Sequence, residues 1–213
     1  HNDVRVTDNE SLKVIKQVAG AMQLDITARL SKSLSSTPMS GSNLNVVSGN
    51  FVISQPLGID NGVDYHHSGK VRRIDVDGIR HQLNNNSIVL LGPITASVTG
   101  ESFNLTAEEI ATQVALKLNA DKMLGFCKEA GILDENGEAL AELMPNEAEQ
   151  VLARHREHSS ACMSASVFLQ AAIDACRGGV HRCHLMSYEE DGALLQELFT
   201  LDGIGTQIAP QSS

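Results

Sequence analysis

From Leu12 onward the apolar residues Leu12, Ile15, Val18, Ala19, Met22 and Ile26 recur every three or four positions through TDNESLKVIKQVAGAMQLDITARLSKSLS. That spacing lines one face of an α-helix. Thr7 or Asp8 is placed to cap it, with Glu10 positioned to complete a capping box. The Ser, Thr, Pro and Gly of SSTPMSGSN end it. The pattern then shortens. LNVVSG, NFVISQPLG and DYHHSGKVRRID read as short strands broken by Gly and Asn, with a hairpin expected around Ser68-Gly69.

DVDGIRHQLNNN predicts a short helix and SIVLLGPI one buried strand. Thr106 caps AEEIATQVALKLNA, whose Ile110, Val114 and Leu118 share a face, and DKMLGFC reads as a further buried strand. MPNEAEQVLARHREH and SASVFLQAAIDACRGG predict helices, the second stopped by Gly178 and Gly179. VHRCHLMS is a strand. The segment GALLQELFTLDGIGTQI closes the series as a short helix, a glycine-rich turn and a strand. Helices alternating with apolar strands predict an α/β layered fold with a largely parallel sheet. Ligands of such sheets sit at the carboxyl ends of strands. No repeat, low-complexity stretch or dividing linker appears, so residues 1–213 are expected to form one domain.

Composition narrows the function classes. The net charge is -10 with no basic block, which argues against nucleic acid or an anionic membrane as partner. The longest apolar run, around SIVLLGPITA, is too short to span a bilayer. HNDVRVTDNE lacks both a signal-peptide pattern and an initiator Met, so a fragment or processed product is expected. Aromatic residues are 3% of the chain, so the core must come from Leu, Val, Ile and Ala. Cys127, Cys162, Cys176 and Cys183 show no CxxC spacing and read as reduced core thiols in a cytoplasmic setting.

Two clusters invite chemistry. His181, Cys183 and His184, with Cys176 upstream, are close enough in sequence to suggest zinc. On a strand, however, His184 points away from His181 and Cys183, so no metal site is expected. His66-His67 and the RHREH face read as hairpin and surface residues. In the closing segment, Glu197 precedes a turn containing Gly203 and Gly205. Taken by itself, that spacing reads more simply as a solvated helix carboxylate followed by a plain turn before a strand, because short glycine motifs are common.

Longer stretches carry a resemblance. RVTD, SFNLTAEEIATQVALKLNADKM and ACRGGVHRCHLM, together with ALLQELFTLDGIGTQI, resemble the amino-acid kinase family. GVDYHHSGKVRRID, SVTGESFNLT and YEEDGALLQELF are most similar to the kinase-like regulatory domains of bacterial N-acetylglutamate synthases. The resemblance covers essentially the whole chain. It implies a three-layer αβα sandwich whose first strand and glycine-rich loop belong upstream of His1. It also implies lost kinase chemistry: the catalytic lysine position falls on Phe168, the organising aspartate on Glu108, and a nucleotide-holding Thr-Asp pair on Cys127-Lys128. Phosphoryl transfer depends on such cations and metal-organising groups. An ATP-dependent N-acetylglutamate kinase is therefore the weaker alternative, and no catalytic residue is assigned.

The family's feedback inhibitor, L-arginine, binds beside the closing segment, and the resemblance carries that role to His184, Glu197 and Gly203. A carboxylate matches a planar guanidinium, and backbone N–H groups around Gly203 and Gly205 suit a ligand carboxylate. Asn104 corresponds to the kinases' substrate site, although a capping or turn Asn fits it equally. The resemblance further implies an acetyltransferase domain following the kinase-like one, for which no room remains after QIAPQSS. Acetyl-CoA is then a co-substrate of the full-length enzyme, with no cofactor in this portion. A homo-oligomer is the expected assembly.

Overall fold

The computed structural model describes residues 5–35, 44–134, 136–157, 163–189, 191 and 205–210. The chain divides into two compact units, His1–Ile110 and Ala111–Ser213.

The first unit opens with α1 (Asn9–Ser35). After it come β1 (Asn45–Val47), β2 (Val52–Pro56), β3 (Ile59–Asp60), β4 (Val63–Asp64) and β5 (Gly69–Ile74). Next are α2 (Val76–Asn84), β6 (Ser87–Val89), β7 (Ile94–Ser97) and β8 (Ser102–Asn104), and then α3 (Ala107–Leu118) begins.

Asp8 caps α1, its Oδ1 accepting the Ser11 N–H at 2.7 Å. That hydrogen bond holds the Asp8 carboxyl below the usual range. Glu10 is thereby only the second helical residue, one short of the capping-box position, and the expected box does not close. Thr7 is buried elsewhere, its hydroxyl 2.9 Å from that of Ser68. Of the apolar stripe Leu12 is buried, whereas Val18 and Met22 remain more than half exposed. The period identified the helix but not what covers it.

β2 lies between β5 (antiparallel) and β7 (parallel), and β8 extends the sheet antiparallel to β7; β1 pairs in parallel with β6. The expected hairpin at Ser68-Gly69 is displaced. The reversal occurs at Asn61-Gly62, both with positive φ (49° and 79°), joining β3 to β4. Asn-Gly is the pair that a tight hairpin turn favours. Gly69 instead starts β5 where the chains crowd, since a Cβ there would lie 2.7 Å from that of Phe103. The single strand expected over SIVLLGPI is two, β6 and β7, interrupted at Gly92-Pro93, where proline cannot donate to a ladder. α2 is capped by Asp75, which accepts the Gly78 N–H at 3.0 Å. Thr106 caps α3 as expected, accepting from the Glu109 N–H at 3.3 Å.

The second unit contains the rest of α3, then β9 (Lys122–Cys127), β10 (Glu142–Leu143), α4 (Pro145–Glu157), α5 (Met163–Arg177), β11 (Arg182–Ser187) and β12 (Thr206–Ile208). The sheet order is β10-β12-β11-β9, parallel between β9 and β11 and antiparallel between β11 and β12. α5 lies on β9, β11 and β12, with α4 beside it. Leu169, Ala172, Ile173 and Ala175 of α5 pack with Val180, Cys183, Leu185 and Ile208 in one buried cluster. The alanines let the helix approach the sheet closely, and Gly179, at φ 113°, ends it.

Candidate functional site

Strand alternation sorts β11 into two faces. Cys183 and Leu185 turn toward α5 and belong to the core cluster. His184 therefore lies on the opposite face, 4% exposed, in register with Leu124 of β9 and Gln207 of β12. Among the described residues no three His, Cys, Asp or Glu side chains converge as a metal set.

Gly205 delivers the chain into β12 with φ at 82°. A Cβ there would overlap the Leu185 carbonyl oxygen and come within 3.2 Å of the Ala130 oxygen, so the position tolerates glycine alone without movement. The next residue, Thr206, is fully buried, and its Oγ1 accepts the Ile132 N–H at 2.8 Å. Gly131 leaves room for that contact, since a Cβ on it would lie 2.6 Å from the same oxygen. Gly205, Thr206, Gly131 and Ile132 thus form one junction against β11. Thr206 and Gly131 carried no role in the sequence reading. The available signal was a Thr directly after a glycine at the start of a strand. Glu197 and Gly203 lie outside the described residues.

The carboxyl ends of β9 and β11, where α/β sheets bind ligands, are stapled together. Tyr188 N–H donates to the Cys127 carbonyl at 2.9 Å, and the Ser187 hydroxyl donates to the Lys128 carbonyl at 3.0 Å. Cys127 is buried, while Lys128 is exposed. Phe168 is buried in the core cluster with its ring on the backbone of Gly125, so close that a Cβ at 125 would overlap it. An apolar ring therefore occupies the position to which the resemblance assigns a kinase lysine.

In the first unit, Asn104 is neither a cap nor a turn residue. It ends β8, where its Nδ2 donates to Thr7 Oγ1 at 3.3 Å and its N–H to the His67 carbonyl at 2.8 Å. The Ser68 hydroxyl donates to the Arg5 carbonyl and completes the network. Glu108 is half-buried in the first turn of α3. Its neighbour Glu109 accepts the Val71 N–H at 3.1 Å on the outer edge of β5, and burial raises its carboxyl above the ordinary value. A cavity of about 340 Å³ opens beyond the ends of β1 and β6, lined by Gln23, Ser48, Asn50, Leu90, Gly92 and Thr95 among others. Its lining carries no charged side chain.

A family model described as the amino acid kinase family matches residues 1–187. The amino-acid acetyltransferase of Shewanella oneidensis is 68% identical over 213 residues, which is all of this chain and 48% of that protein. The one from Escherichia coli (strain K12) is 58% identical over the same share. The chain thus spans about half the length of the curated relatives it matches. Among solved structures, N-acetylglutamate synthase from Neisseria gonorrhoeae complexed with coenzyme A and L-arginine superposes with a TM-score of 0.85 at 32% identity. That match covers 98% of this chain and 48% of the synthase. A Giardia carbamate kinase, 15% identical over 92% of this chain and 72% of its own, has a TM-score of 0.65 and shares the fold alone.

Proposed function

The chain belongs to the amino acid kinase family, and we propose that it is the arginine-sensing regulatory domain of a bacterial N-acetylglutamate synthase. In this reading residues 1–213 act as one kinase-like domain. The whole enzyme transfers the acetyl group of acetyl-CoA to the amine of L-glutamate, in a separate acetyltransferase domain of the full-length protein. Acetyl-CoA is a co-substrate of that domain, and this portion needs no cofactor of its own.

The observation that carries the proposal is the Gly205–Thr206 junction, a turn that only glycine permits, clamped to β11 beside His184. It stands in a chain whose fold matches a synthase described in complex with L-arginine. In the proposed site the Glu197 carboxylate takes the guanidinium through two parallel hydrogen bonds. Backbone N–H groups near Gly203 and Gly205 take the ligand carboxylate, and His184 adds one polar contact. The parts given to Glu197 and Gly203 rest on the family resemblance.

Phosphoryl transfer is disfavoured, because the Phe168 ring seated on Gly125 cannot neutralise a transferring phosphate. Self-association is supported by Val14, Val18 and Met22, which stand one helical turn apart on α1 and are each more than half exposed. Among the described residues no helix is long and apolar enough to cross a membrane. The proposal sets the enzyme in the cytoplasm, where acetyl-CoA and reduced thiols coexist.

Calorimetric titration of the full-length protein tests the site. L-Arginine should bind, while D-arginine and L-lysine bind much less well. Glu197→Ala should cost ~1.5–3 kcal/mol, a roughly ten- to hundred-fold loss of affinity. Gly203→Asp should abolish binding by placing a carboxylate against that of the ligand. Unchanged affinity in both variants would move the site elsewhere, and no heat with L-arginine would end the regulatory reading.

A further inference from the structure

Two thiols meet in the core of the second unit. Cys176 lies in the last turn of α5 and Cys183 is the second residue of β11; their sulfurs are 3.6 Å apart and both are buried. The Cys176 sulfur is also 3.3 Å from the Ile208 carbonyl oxygen of β12, and that of Cys183 is 3.7 Å from the Ala172 carbonyl oxygen of α5. The pair thus stands where helix and both strands converge. A disulfide requires closing the gap by roughly 1.5 Å, within reach of side-chain rotation and a small shift of a helix end. The intervening segment runs through Gly178 and Gly179, which can absorb such a shift.

We propose that Cys176 and Cys183 are a redox-convertible pair that closes to an intrachain disulfide when peroxide is present, tying the end of α5 to β11. The two thiols are electrically unequal. The hydrogen bond with Cys183 lowers the Cys176 thiol below its ordinary value, while the same contact and burial push Cys183 up. Cys176, in the last turn of α5 and less deeply buried than Cys183, is the sulfur that peroxide reaches first. Its thiolate takes one oxygen from hydrogen peroxide, giving a sulfenic acid, and the other oxygen leaves as water once protonated. The Cys183 thiol then attacks the sulfenic sulfur, the S–S bond forms, and the hydroxyl departs as a second water. Two thiols lose two electrons and one peroxide gains them. Because both sulfurs are buried, the reagent enters when the last turn of α5 opens locally.

The test is made on the full-length protein under native conditions. It is treated with hydrogen peroxide, unfolded in alkylating reagent, digested and analysed by mass spectrometry. The expected product is a peptide pair joined between Cys176 and Cys183, assigned by fragment ions that separate Cys176 from Cys162, and lost on reduction with dithiothreitol. Cys127→Ser should leave that cross-link intact, and Cys176→Ser should remove it. Complete alkylation of all cysteines in the peroxide-treated wild-type protein would overturn the proposal. So would a cross-link that runs instead through Cys127 or Cys162. The wild-type measurement decides the question even if a serine variant fails to fold.

Discussion

Replacing Gly205 with alanine should separate two costs that usually arrive together. The first is conformational. With φ at 82°, a residue bearing a Cβ sits in the left-handed region at ~1–2 kcal/mol. The second is steric, since the new Cβ would overlap the Leu185 carbonyl oxygen and crowd that of Ala130, pushing β12 away from β11. Forcing extra volume into packed structure costs ~1–3 kcal/mol. The sum is about 2–5 kcal/mol, and at ~2–4 °C per kcal/mol for a chain of this size Tm should fall by about 4–20 °C. Gly137 supplies the control. Its φ is 84°, nearly the same, but nothing lies within 4 Å of its virtual Cβ. Gly137→Ala should therefore show only the first cost, about 2–8 °C. Both variants and the parent are melted by differential scanning calorimetry at one concentration, with and without L-arginine. The reasoning fails if the two alanine variants melt within 1 °C of each other, because the overlap at Gly205 would then be relieved without loss. It also fails, for the site, if Gly205→Ala binds L-arginine as the parent does.

Phe168→Ala should cost ~3–5 kcal/mol in a denaturant titration, as deletion of a buried ring does. Phe168→Lys should destabilise the fold as well, since it buries an ammonium, and should still show no ATP-dependent phosphorylation of N-acetylglutamate; turnover above a no-enzyme blank would reopen the kinase reading. Glu109→Gln tests the raised carboxyl. A carboxyl whose folded-state value is raised stabilises the fold most fully below its unfolded value of about 4.5, and that contribution is lost as pH rises through the folded value. The Gln variant, whose amide oxygen can still accept the Val71 N–H, should therefore gain on the parent as pH rises from 4 toward 7. A pH-independent difference in chemical denaturation would refute that account.

The local elements of this protein were legible in the chain because their signals are short-range. Among the described residues, the local pattern marked all five helices, Thr106 declared its own cap, and Gly178-Gly179 declared an end, since each depends on residues within a turn or two. The family was legible too, from whole motifs rather than from periodicity. What the tertiary structure decided is whatever depends on partners distant in sequence. Thr7 looked like a cap and became a buried hydroxyl because Ser68 and Asn104, sixty-one and ninety-seven residues away, claim it. Gly69 looked like a turn and proved to be a point of close approach to Phe103. At the candidate site, sequence pointed to Gly205 as a ligand-facing turn. Only the fold showed the Leu185 carbonyl against it and Thr206 holding Ile132. Cys176 and Cys183 read as scattered core thiols, and their approach to 3.6 Å required α5 to lie on β11. A period or a cap is written within one element, whereas packing chooses which two elements share a face, and no local pattern encodes that choice.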